Sequence, residues 1–408
     1  MALEPFLVLS QCQTWHLALF LLARWLIVSV SLKSSDAILR NSLTRARLFD
    51  SGTLHQYMYG HLYPNNGSKI IARSTTQDRM TQSAEYFLAG FFGLQWPQNA
   101  TLELIIEEPG FNNSLAGYFQ CPNSGAPASA VGRVAASEWA TQYLANATAR
   151  IQAQLTGLDW EFSDTYFAQQ MCAYETVALG YSSFCGLFTY DEWVDYEYSV
   201  DIAFAGNNAF QSPTGRAVGI GWVQELLARL QHHTIDKPTA QVNYTLDSDP
   251  ATFPVDQTLN FDFSHDTNIM SILTAFGFTQ FSQLLPTTHI IPHDLVVSHL
   301  EPFAARLDIE VISAPQPISP TRKAGENPYT IGEPTQYIHF VLNQRTLPLG
   351  KSFAACGDRT DGWCKLSTFL EVQAGSLNAS QFEYSCFGNY TAVPYGTLKD
   401  GVPLPPTA

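Results

Sequence analysis

The chain has 408 residues, 46% of them hydrophobic, 13% aromatic and 14% charged. That supplies a large core and carries too little charge for a disordered polymer. The 21 Lys and Arg against 36 Asp and Glu leave a formal net charge of -15. With no basic stripe to release phosphate counterions, nucleic acid is excluded as a partner.

Residues 15–32, W-H-L-A-L-F-L-L-A-R-W-L-I-V-S-V-S-L, form an apolar run broken by Arg24. A charge in mid-run compromises a membrane-spanning helix. Glu4 is the only early charge, so the basic start of a signal peptide is lacking, although Ser29 and Ser31 are small enough to precede a cleavage site. Residues 1–32 therefore read as an atypical leader: a signal, an anchor, or a segment foreign to the mature protein.

The composition beyond residue 33 is globular. Residues 48–62 read as a helix with Leu54, Tyr57, Met58 and Leu62 on its apolar side. A short strand, Lys69 to Ala72, ends at Arg73. A helix from Met80 to Phe92 follows, and Leu102 to Ile106 alternates as a second strand. This is the rhythm of an α/β protein. Residues 126–240 read as a mostly helical insertion between two α/β segments, 33–125 and 241–408. Within the second segment lie F-D-F at 261–263, a helix over 267–276, a strand at 307–312 and a hairpin at 337–349 with its tip at Asn343-Gln344-Arg345. The Pro-rich tail is expected to fray.

None of the seven cysteines forms a C-x-x-C, which argues against a zinc ribbon. Together with N-x-S/T sequons at Asn66, Asn99, Asn112, Asn146, Asn243, Asn378 and Asn389, they favour an oxidising, secretory compartment and a secreted or cell-surface protein. Cys12 is the expected odd cysteine. His289, His293 and His299 match no usual metal spacing, and His232-His233 closes a helix, where imidazoles suit the dipole. No G-x-S-x-G supports a serine hydrolase.

The chemistry concentrates at S-H-D-T-N, residues 264–268. His265 and Asp266 fall where a strand passes into a helix, the edge at which α/β sheets bind ligands, and the helix N-terminus there attracts anions. An ordinary N-cap explains Asp266 or Thr267 equally well. Arg73 is read at a second junction of the same kind, where a guanidinium can hold a phosphate bidentately or make a surface ion pair. Convergence of the two junctions would make a phosphoryl-transfer site.

The stretch I-I-A-R-S-T-T-Q-D-R-M-T-Q-S-A-E-Y-F-L-A-G-F-F-G (70–93) resembles the phosphate-arginine loop and helix of the histidine acid phosphatases, the family that includes fungal phytases. S-H-D-T-N resembles that family's His-Asp motif. M-C-A-Y-E-T-V-A-L-G-Y-S-S-F-C-G-L-F-T (171–189), P-F-A-A-R-L-D-I-E-V (302–311) and the 336–349 hairpin resemble further parts of it. The resemblance implies an α/β fold with a phosphoglycerate-mutase-like sheet and a helical inserted domain. It implies disulfides Cys172–Cys185 and Cys356–Cys364, leaving Cys121–Cys386 as the third. It implies that Arg73 and His265 hold phosphate, that Asp266 protonates the leaving group, and that no metal or other cofactor takes part. The partner is then a small phosphomonoester, with a membrane involved only if residues 15–32 remain as an anchor.

The family's R-H-G-x-R-x-P segment, whose histidine attacks phosphorus, is not found; no R-H-G occurs in the sequence. The sheet's first catalytic strand is accordingly expected to be absent. Either the N-terminus is incomplete or misjoined, the favoured reading, or the protein has lost its nucleophile. The rival function is a phosphate-binding pseudoenzyme.

Overall fold

In the computed structural model the described residues are 2–12, 42–64, 66–323 and 325–405. The apolar run at 15–32, with His16, Arg24, Ser29 and Ser31, lies outside them.

A single mixed sheet organises the chain. Its strands are β1 (Ala2–Cys12), β2 (Ile70–Thr75), β3 (Ala100–Ile105), β4 (Leu259–His265), β5 (Arg306–Ala314), β6 (Thr335–Leu342), β7 (Arg345–Leu347) and β8 (Cys364–Lys365). The order is β3-β2-β4-β1-β5-β6-β7, with β8 also on β6. The β3, β2, β4 and β1 ladders are parallel, and β5 to β8 join antiparallel.

Here the structure corrects the expectation of an absent first strand. The place is filled by β1, which lies between β4 and β5 in mid-sheet. The apolar run F-L-V-L at 6–9 suits a strand with neighbours on both sides. Pro5, which has no amide hydrogen for a ladder, falls where the β1–β5 register shifts between Glu4 and Phe6. The strand ends with Cys12 in register with His265. It brings no R-H-G.

The longer helices are α1 (Ser42–Tyr59), α2 (Asp78–Phe92), α3 (Val131–Tyr143), α4 (Ala145–Gln152), α5 (Phe162–Leu179), α6 (Tyr190–Asn207), α7 (Gly215–Leu230), α8 (Asp266–Phe276) and α9 (Leu366–Gln373). Every residue of β4 is buried, as expected of a parallel central strand. Phe87 and Phe91 of α2 pack edge-on against Phe261 of β4.

The buried face of α1 differs from the sequence reading. Tyr57 is 82% exposed and Met58 37%. The side turned inward carries Leu48, Ser51, Gly52, His55 and Tyr59. Backbone contact and buried polar bonds, rather than large apolar side chains, decide this face. A Cβ on Gly52 would stand 2.0 Å from the Phe87 carbonyl oxygen of α2. His55 Nε2 meets Asp308 Oδ1 at 3.1 Å, and the Tyr59 hydroxyl donates to Glu310 Oε1 at 2.6 Å.

Residues 126–240 hold α3 to α7 and no strand. The last of these, α7, packs on the α/β body: a Cβ on Gly219 would meet the Ser271 backbone of α8 at 2.3 Å. Three disulfides tie the chain: Cys121–Cys386, Cys172–Cys185 and Cys356–Cys364. They match the expected pairing and use every cysteine except Cys12.

A buried ion pair joins α6 to the loop that precedes residue 297. His293 Nε2 lies 2.9 Å from Asp201 Oδ2, and its Nδ1 lies 2.7 Å from the Ile291 carbonyl. Carboxylate and carbonyl only accept, so both ring nitrogens must carry hydrogen. The Asp201 hydrogen bond holds the imidazole above its ordinary value despite burial, with the Glu197 charge adding to the effect. Burial raises the Asp201 carboxyl, although His293 and the Val297 amide oppose it. Both groups therefore bind more protons folded than unfolded. The stability the imidazolium contributes is complete below its unfolded value of about 6.5 and is lost as pH rises through the folded one. The melting temperature should fall between about pH 6 and pH 8, and His293→Gln should flatten that fall. Parallel pH profiles for the two proteins would remove this pair as the cause.

Candidate active site

Two strand-to-helix junctions meet at the carboxyl edge of the sheet. One is formed by β4 and α8: His265 ends the strand and Asp266 begins the helix. The other runs from β2 through Thr76 and Gln77 into α2, whose first turn carries Asp78 and Arg79.

His265 and Asp266 are buried, at 0% and 1% exposure. The imidazole's Nε2 lies 3.0 Å from Glu107 Oε2, while Nδ1 has no hydrogen-bond partner. The Tyr118 ring stands edge-on to His265, with centroids 5.7 Å apart. Asp266 Oδ1 accepts from the neighbouring Thr267 amide at 2.8 Å, within the first turn of α8.

Arg73 does not join this pair. It lies within β2, in register with Asp262, three residues before His265 and so about 10 Å back from the edge. Its guanidinium is buried and committed: Nε and one terminal nitrogen donate to Asp262 at 2.7 Å, and that nitrogen also donates to Glu225 at 2.6 Å. Asp247 lies 3.8 Å from the other nitrogen. Burial works against the Arg73 charge, but Asp262 and Glu225 hold it protonated well above its ordinary value. Burial likewise opposes the Asp262 charge, and Arg73 and Arg229 hold that carboxyl far below the usual range. Burial and Glu225 push Asp247 up to about 9. The expected role of Arg73 as the phosphate clamp is therefore corrected: the guanidinium is buried within the sheet and paired with Asp262 and Glu225, although its other terminal nitrogen has no hydrogen-bond partner.

Another guanidinium, that of Arg79, stands in the first turn of α2 at the second junction. It is half-buried, and its Nε is enclosed without a partner. Burial raises the Tyr118 hydroxyl well above its ordinary value and that of Tyr174 on α5 above the physiological range. At both hydroxyls the charges of Arg79 and Asp266 act with opposite sign. Glu301, fully buried, is raised well above the usual carboxyl range by its burial and by Asp266. The β4–α8 junction thus gathers an imidazole with an unpartnered nitrogen, the carboxyl groups of Glu107, Asp266 and Glu301, and the Tyr118 phenol, with Arg79 and Tyr174 in electrostatic reach. The sequence reading passed over Arg79, Glu107 and Tyr118. The signal for Arg79 was present in Q-D-R, where an acidic residue opens the helix eight positions beyond the apolar strand's start at Ile70. Among the described residues no group of three or more His, Cys, Asp or Glu is placed to hold a metal ion, and no described helix is long and apolar enough to cross a membrane.

A His-Asp pair buried at the carboxyl end of a central strand lies where α/β sheets bind ligands. Residues 29–343 match the model of the histidine phosphatase superfamily, branch 2, and the chain belongs to that family. It is 31% identical to a Phytase A of Aspergillus terreus over 325 residues, 74% of this chain and 63% of that protein. It is 28% identical to the Phytase A of Aspergillus oryzae over 343 residues, 80% and 68% of the two. The chain thus spans a little under two thirds of the first of these relatives. Among solved structures, the phytase from D. castellii superposes with a TM-score of 0.68 at 19% identity, over 96% of this chain and 83% of that one. A Bifidobacterium longum multiple inositol polyphosphate phosphatase, in complex with inositol hexasulfate, gives 0.56 at 11% identity, over 90% and 91%. At these identities the superpositions establish a shared fold.

Proposed function

We propose that this chain carries the substrate-binding and proton-donating half of a secreted, phytase-like acid phosphatase site acting on phosphomonoesters. The observation that carries the reading is the His265–Asp266 pair buried where β4 passes into α8, with an unpartnered imidazole nitrogen and with Arg79 near enough to act, like Asp266, on the Tyr118 and Tyr174 hydroxyls. Arg79 clamps phosphate oxygens, His265 adds a donor through Nδ1, and Asp266 delivers the proton to the leaving alcohol. Three disulfides support an oxidising destination. Asn66, Asn146, Asn378 and Asn389 are exposed and offer places for N-linked glycans, whereas the Asn112 side-chain amide donates to the Val242 carbonyl at 3.2 Å.

Since no R-H-G occurs in these 408 residues, the proposal includes binding without efficient turnover. A covalent route needs an activated nucleophile, and losing it removes most of the rate enhancement. Calorimetry with inorganic phosphate and with phytate should show binding that Arg79→Ala weakens by at least about tenfold, the value of one charge-assisted contact. Hydrolysis of p-nitrophenyl phosphate between about pH 3 and 6 should stay near background. No phosphate binding would sink the site assignment. Brisk turnover would sink the claim of a missing nucleophile.

A further inference from the structure

We propose that Glu107 is a positioning residue for this site: it fixes the His265 ring by taking its Nε2 proton in a hydrogen bond and so commits Nδ1 to the phosphate. The inference rests on the preceding reading for the identity of the ligand, but not for the state of the ring.

Glu107 lies two residues beyond the end of β3 and is 5% exposed. Its Oε2 meets His265 Nε2 at 3.0 Å. Its Oε1 accepts from the Tyr118 hydroxyl at 2.8 Å and from the Gln77 side-chain amide. Its own amide donates to Thr76 Oγ1 at 3.0 Å. The carboxylate is therefore held by the β2–α2 loop and by the 114–120 turn, and Tyr118 packs its edge on the same imidazole. Burial would raise the Glu107 carboxyl; the hydrogen bond and charge of His265, with the hydroxyls of Thr75 and Tyr118, hold it below its ordinary value. An ionised carboxylate offers only acceptors, so the proton between the two groups sits on Nε2.

That assignment leaves Nδ1, buried and unpartnered, as the ring's working nitrogen. The hydrogen bond at Nε2 holds the ring in the one orientation that presents Nδ1 to a ligand at the strand end. The other charges facing the pair are Arg79 from the first turn of α2 and Asp266 at the start of α8. Neither makes a hydrogen bond to Nε2, which Glu107 alone accepts from. A purely structural Glu–His pair would hold the fold without linking ring orientation to ligand binding.

The test uses the full chain, 15N-labelled, with His265→Ala to assign the ring. In wild type without phosphate, the long-range 1H–15N spectrum should show hydrogen on Nε2, and Glu107→Gln should change the His265 nitrogen shifts while Glu107→Asp restores them in part. Calorimetry with inorganic phosphate should show Glu107→Gln binding roughly tenfold or more weakly than wild type, with Glu107→Asp recovering part of the loss, because the ring loses the carboxylate that fixes its Nδ1. Unchanged His265 shifts in a folded Glu107→Gln protein, or a phosphate affinity equal to that of wild type, would overturn the proposal. If wild type binds no phosphate, the functional reading fails while the ring spectrum still decides the role of Glu107.

Discussion

Replacing Arg73 with methionine is expected to destabilise the fold by about 3–5 kcal/mol, the range for removing one member of a buried ion pair and leaving the other uncompensated. The cause is local. Asp262 would keep the Arg229 and Trp222 donors, both at 3.0 Å. It would lose the bidentate fork, and Glu225 would lose the guanidinium at 2.6 Å. The urea midpoint of Arg73→Met should drop sharply. Adding Asp262→Asn should recover part of the loss, since the orphaned charge is then gone. Arg79→Ala should give the reverse result, nearly normal stability and poor phosphate binding. An Arg73 variant that is fully stable but phosphate-blind would restore the role the sequence first suggested.

Opening Cys121–Cys386 by serine substitution should cost about 5 kcal/mol on a chain-entropy account, because the bridge closes a loop of 265 residues. Both cysteines are fully buried beside Ala217 and Val218 of α7, so two polar hydroxyls would also be left in an apolar cluster. The bridge Cys172–Cys185 spans 13 residues and should matter less, about 3 kcal/mol by the same reasoning. Thermal melts of the two double-serine variants compare them directly. Equal losses, or a larger loss for the short loop, would rule out loop closure as the dominant effect.

Much of the architecture was legible because periodicity is loud where strands alternate and helices carry aromatic stripes. The hairpin tip at Asn343 and Gln344 is one such case: both adopt positive φ, 50° and 67°, as a tight two-residue connection requires. The His-Asp junction was legible because an apolar strand pattern switches to a helical one at a polar pair. Arg73 was misplaced by a boundary. The strand runs on to Thr75, which puts Arg73 inside the sheet and carries the true junction to Arg79. The inward face of α1 was missed because apolar periodicity weighs large side chains, whereas Gly52 touches backbone and His55 and Tyr59 bury polar atoms. Glu107 was not legible at all: its role depends on His265, 158 residues away along the chain.

The seam between α7 and α8 has a mechanical meaning. Gly219 lets the α7 backbone approach that of Ser271, Trp222 packs edge-on against Phe276, and packed interiors transmit strain rather than absorb it. A load placed on the last helix of the insertion passes to the helix whose first residue is Asp266. Under the proposed function, a substitution that displaces α7 would be felt at the acid without touching any ligand.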